Sequence, residues 1–218
     1  MPEDDSDVAT SADRSLRGAG VRRAMWLALF TVAWNVIEGV IATTAGALAG
    51  SVALVGFGVD SFVETTSGAV VGWRFHRESR GLDAEAVERV ERRASRIAGT
   101  LLLVLAAYIC VDAGRRLLGY GPEARESVLG IILTAVSLAV MPVLGWMKLR
   151  TARALNSRAL RADGYETVTC AWLSFTTLAG LLLNATLGWH WADPLAALVL
   201  VPLIVREGIE GLKGEELE

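Results

Sequence analysis

The chain has little of what soluble metalloproteins and hydrolases rely on: two histidines, two cysteines and five prolines in 218 residues. Cys110 and Cys170 both stand inside apolar runs and form no CxxC pair, which argues against a disulfide framework or a zinc knuckle. There is no HExxH, no GxSxG and no pair of histidines at membrane depth, so an intramembrane enzyme would lack both nucleophile and catalytic metal centre. The chain is therefore expected not to be an enzyme and to need no cofactor. Net charge is only −3 and comes partly from the end stretches MPEDDSD and GEELE, so it says nothing of partners; nucleic acid is not expected among them.

Apolar surface, by contrast, is abundant. Hydrophobic residues make up 53% of the chain, and the mean hydropathy is +0.43. Charges crowd into short stretches and leave runs of about 20 residues almost free of them, the length that crosses a bilayer core. Six spans are predicted, at 24–49, 51–73, 97–118, 127–147, 164–187 and 190–207. The expected fold class is thus an all-α membrane protein, a six-transmembrane-helix bundle embedded in the lipid bilayer. Residues 1–20 read as a mobile cytoplasmic tail, 21–210 as the six-helix domain and 211–218 as a short acidic C-terminal tail. The opening stretch is acidic and polar, and the first apolar run is long enough to span and stay, so no cleaved signal peptide is expected.

The glycines of AGALAGS mark the first turn between spans. The connector 74–96 is too charged for the bilayer, yet its Glu, Ala and Arg residues carry opposite charges at helical spacings, which extends the third helix out of the membrane. Basic residues in short loops stay on the cytoplasmic side. Counting the even connectors with both ends of the chain, 18 of the 21 Lys and Arg fall on one side. Arg115, Arg116 and Arg125 alone fall on the other. Both termini are therefore expected in the cytoplasm.

Function has to come from what a bilayer excludes, since an ionisable side chain at membrane depth is costly and ordinarily faces a bundle interior. Span one carries Asn35 and Glu38, span two Asp60 and Glu64, span three Asp112, and span five Glu166 and Cys170. Gly56, Asp60, Glu64 and Gly68 recur at intervals of four, so one helical face joins two carboxylates to glycines that admit a neighbouring helix. Asp163, Glu166, Cys170, Ser174 and Thr177 share a face of span five by the same arithmetic. If the two stripes meet, Asp60, Glu64, Glu166 and Cys170 offer four ligands, which suits a tetrahedral divalent cation such as zinc. Asp112 stands close to Arg115 and Arg116 and reads as an exposed pair, while His76 and His190 read as interfacial.

At these residues the chain resembles the cation diffusion facilitators, which export zinc and related divalent metals in exchange for protons. SVALVGFGVDSFVE, RADGYETVTC and WADPLAALVLVPLIVREG carry the resemblance, in that order along the chain. It implies a transport site of two residues in span two and two in span five, usually His or Asp followed four residues later by Asp. By position these are Asp60 and Glu64, then Glu166 and Cys170. Glutamate replaces aspartate at 64, glutamate stands at 166 and cysteine at 170, so the set departs from the usual one. Most members also carry a soluble cytoplasmic domain after the sixth span, which is not expected here, so a homodimer would be built from membrane helices.

The implied activity is secondary transport of a divalent metal, zinc first and cadmium, iron or manganese as alternatives, with protons as exchange partners. Metal ligands must be deprotonated to bind, so metal and proton compete for the same groups. The rival reading is a membrane metal sensor or scaffold that keeps the fold without turnover. The charge asymmetry makes a direct prediction. Single cysteines placed in the 74–96 connector should react with membrane-impermeant maleimide only from the cytoplasmic side, and labelling from outside intact cells would reverse the orientation.

Overall fold

The computed structural model describes residues 4–79, 84–120 and 125–213, and these form six helices: α1 Asp4–Ala49, α2 Val52–Ser79, α3 Ala84–Leu117, α4 Val128–Leu155, α5 Arg158–Leu187 and α6 Ala192–Lys213. No strand occurs among the described residues. All six expected spans fall on these helices, although the helices overrun the spans. α4, for example, continues to Leu155 where the apolar run stops at 147. An α-helix need not end where its hydrophobicity does, since its backbone hydrogen bonds are internal.

α1 begins at Asp4, inside the stretch 1–20 read from the sequence as a mobile cytoplasmic tail. Its Ala, Arg and Leu residues sustain helix without any apolar stripe. Residues 1–3 of that tail, 80–83 of the charged connector and 214–218 of the acidic end lie outside the described residues. Among the described residues Arg17–Ala49, Val128–Leu155 and Ala159–Leu187 are each long and apolar enough to cross a membrane by themselves. The outer surface of the bundle displays large apolar side chains, including Trp26, Leu29, Ile37, Val104, Ile132 and Trp172. Such a surface suits a lipid environment and is out of place in water.

The turns follow local chemistry. Gly50 adopts φ 68 between α1 and α2, at the glycines singled out in the sequence. Asn156, in the left-handed region, closes α4, and the Ser157 side chain accepts from the Leu160 N–H to start α5. The start of α2 is capped from a distant element. Asp193, in the first turn of α6, accepts from the Val52 backbone N–H at 3.0 Å and from the Ser51 hydroxyl. A carboxylate at a helix N-terminus is favoured by both the orphan N–H groups and the helix dipole. The WADP stretch is thereby a structural clasp. On the same end Arg116 joins Asp112 at 2.7 Å and donates to the Gly50 carbonyl, so Asp112 forms the expected pair, but a partly buried one and not an exposed one, because Arg116 reaches across to the α1–α2 turn.

α1 packs along α2, α4 along α5 and α3 along α6, while α2 also touches α3, α5 and α6 and so occupies the centre. Small residues allow this. A Cβ on Gly58 would stand 2.6 Å from the Thr43 backbone nitrogen, and one on Gly164 would stand 2.9 Å from a Leu149 methyl. The helix backbones approach so closely at Gly58 that no side chain could move aside. Gly58→Val is therefore expected to lower stability by about 1–3 kcal/mol, read as a fall in unfolding temperature of the detergent-solubilised protein. An unchanged transition would show that α1 and α2 can separate freely.

Candidate metal site

α2 carries Asp60 and Glu64 one turn apart on its inward side, 5% and 3% exposed. α5 presents Asp163, Thr167 and Cys170, all buried, with Glu166 half-buried beside them. The two helices pack against each other, so the polar stripes read from the sequence do meet. Their direct link is the Thr167 hydroxyl, which donates to Glu64 Oε1 at 2.5 Å. Cys170 lies in the electrostatic neighbourhood of Glu64, Glu38 and Asp60. Glu166 sits near Ser67, Asp163 and Glu64. Glu64 Oε2, Glu166 Oε2 and both carboxylate oxygens of Asp163 are buried without a geometrically good hydrogen bond from the protein, Asp163 Oδ2 meeting Lys148 only as a close ion pair. Among the described residues no three His, Cys, Asp or Glu side chains close on a common centre tightly enough to hold an ion. The four residues predicted from the sequence thus share one interior without forming a closed shell.

Sequence reasoning missed the cation in that interior. Lys148 directly follows the fourth predicted span, yet it lies within α4 and is 0% exposed, the only buried basic side chain among those whose burial is described. Its Nζ stands 2.9 Å from Asp163 Oδ2 and 3.7 Å from Glu64 Oε1, and donates to Thr167 Oγ1 at 2.8 Å. Counting it among the loop cations was mistaken, because the helix continues and turns this position inward. The buried face of α4 runs through Gly130, Thr134, Ser137, Met141, Leu144, Lys148 and Thr151, alternating steps of three and four. That period places Lys148 inside, and the sequence contained it. Removing one member of a buried ion pair typically costs about 3–5 kcal/mol, since the other is left uncompensated.

A second polar group adjoins the first. Glu38 of α1 is fully buried and accepts from Ser61 at 3.0 Å and from the Ser137 hydroxyl, so it joins α1, α2 and α4. Asn35, one turn away, is fully buried with neither amide atom bonded to the protein. Glu207 of α6 also lies near Asp60, Glu64 and Glu166. It was not singled out from the sequence, where it stands at the very end of the sixth span beside Arg206. Four carboxylates, Glu38, Asp60, Glu64 and Asp163, are thus buried in this region with Glu166 and Glu207 partly buried beside them, and Lys148 pairs with only two of the six, Asp163 and Glu64. An excess of negative groups in a low-dielectric interior attracts cations strongly.

Comparison with known proteins agrees with this chemistry. The family model described as the cation efflux transmembrane domain matches residues 28–213. A protein of Synechocystis named as an uncharacterized transporter is 32% identical over 155 residues, 70% of this chain and 50% of its own length. Proteins of Bacillus velezensis and Bacillus subtilis, each named a cadmium, cobalt and zinc/H(+)-K(+) antiporter, are 26% identical over 121 residues, 56% of this chain and 38% of theirs. The chain thus spans half or less of the length of these curated relatives within the matched regions.

Proposed function

Since the chain belongs to the cation efflux family and is an integral membrane protein, we propose that it carries a divalent metal cation, zinc in the first place, through the interior between α2 and α5. The observation that carries this reading is the set of buried carboxylate oxygens without hydrogen bonds on α2 and α5, of which those of Glu64 and Glu166, unlike Asp163 Oδ2, face no ammonium at ion-pair contact. Buried polar oxygens are ordinarily satisfied, and acceptors left open toward a shared interior suit a cation. Asp60, Glu64, Glu166 and Cys170 are the ligands in this reading. Three oxygens and one sulfur are compatible with zinc, and the sulfur also accommodates cadmium. Closing the shell in this reading requires α5 to move against α2.

Protons are the exchange partners in this reading. A carboxylate or thiolate that binds metal must first be deprotonated, so the ion and the proton displace one another at the same atoms. Metal affinity should then fall as pH falls. Both termini lie in the cytoplasm, metal loads from that side, and a homodimer through membrane helices is the assembly.

Transport is tested with purified protein in sealed liposomes, following zinc, cadmium and manganese uptake with and without a pH gradient. Uptake of zinc that depends on the gradient is expected. Intact protein that binds zinc without moving it would instead make this a sensor or scaffold. Asp60→Asn should abolish zinc binding while the bundle stays folded, and unchanged affinity would remove Asp60 from the site. Cys170→Ser should weaken zinc and cadmium by about tenfold or more while barely altering manganese, because only the soft donor is lost. Equal loss for all three metals would make Cys170 a packing residue.

A further inference from the structure

Lys148 is a puzzle for a cation pathway, since a fixed positive charge at 3.7 Å from a ligand carboxylate repels the ion that carboxylate is meant to hold. The geometry resolves it. The ammonium is closer to Asp163, at 2.9 Å, than to Glu64, and Asp163 is itself fully enclosed with it. Asp163 alone can therefore balance Lys148. Thr167 stands between the two halves, accepting from Lys148 at 2.8 Å and donating to Glu64 Oε1 at 2.5 Å. A hydroxyl has a single proton, and this one has a second acceptor in reach, the Asp163 backbone carbonyl at 3.0 Å. Glu64 Oε1 can thus lose its bridge to Lys148 by the turning of one hydroxyl, which itself stays bonded. Its other oxygen, Oε2, already has no protein partner.

Resting on the metal-transport reading above, we propose that Lys148 is a tethered competitor for the transported cation: it takes hold of Glu64 as the metal leaves and is held by Asp163 alone while the metal is bound. Asp163 is then a positioning residue and not a ligand. The ammonium does two things. It lowers the affinity of the site enough for metal to be released, and it keeps Glu64 from standing unpaired in the interior as the carrier returns. Two groups of like charge cannot both be fully engaged with one carboxylate, so metal binding and the Lys148–Glu64 contact oppose each other.

The test is zinc and cadmium titration of the purified full chain by calorimetry, paired with zinc flux in liposomes. Lys148→Met is expected to tighten zinc binding by about tenfold or more, at the strength of a charge this close in a protein interior, and to slow flux at saturating zinc. Lys148→Arg should leave affinity near that of the native chain. Asp163→Asn should weaken zinc binding by about tenfold, because the ammonium then leans wholly on Glu64. The double variant Lys148→Met with Asp163→Asn should bind as tightly as Lys148→Met. It removes both charges of the closer pair, so it carries the test if Lys148→Met does not fold. Unchanged or weaker binding when Lys148 is neutral, or an Asp163→Asn defect that Lys148→Met does not relieve, overturns the proposal. A native chain that binds neither metal overturns the transport reading as well, which separates the two failures.

Discussion

The arrangement of the bundle depends on one constraint: a charge taken out of water must find its counter-charge inside the protein. Lys148 on α4, Asp163 and Thr167 on α5 and Glu64 on α2 satisfy it together. Three helices are fixed in register by these four side chains, because sliding any one of them by a turn would leave a buried charge unpaired. The hydrophobic effect cannot supply that register, since in lipid an apolar side chain is as well placed outside the bundle as inside. Polar pairing sets which faces point inward, and the apolar surface follows.

Close packing makes the pairing short-ranged enough to matter. Gly58 lets α1 settle on α2, and Gly164 lets α4 settle on α5, so the helices carrying the charged groups stand near one another. Within that frame Glu38 is held by Ser61 and Ser137, which brings α1 into the same network. The polar interior is therefore continuous from α1 to α5, and it is rich in acceptors and poor in donors. That imbalance is the physical ground for expecting a cation there.

Much of this was legible in the sequence. The six helices followed from apolar runs, the first turn from AGALAGS, and the meeting of α2 with α5 from carboxylates and small residues spaced by four. Cys170, Asp60 and Glu64 fell inside as their faces required. Lys148 did not declare itself, because a lysine at the end of an apolar run is ordinarily a loop cation, and only the inward period of α4 says otherwise. Glu207 stood at the last position of the sixth span, where an acid is ordinarily interfacial. The long-range role of Asp193 was beyond any local rule, since its partners, Ser51 and Val52, are far away in the chain. A three-dimensional cap has no sequence period.

That cap bears on how the molecule can bend. At one end of the bundle Asp193 fastens α6 to the start of α2, Arg116 reaches from α3 to the Gly50 carbonyl, and the Arg125 backbone N–H donates to the Ala49 carbonyl at 2.7 Å. Four helices and the chain entering α4 are laced there into a single knot. Helices tied at one end can still spread at the other, like the legs of a pair of tongs. Such a hinge gives small angular changes near the knot a long reach at the opposite mouth, so the widest opening would lie at the end toward which α4 and α2 run.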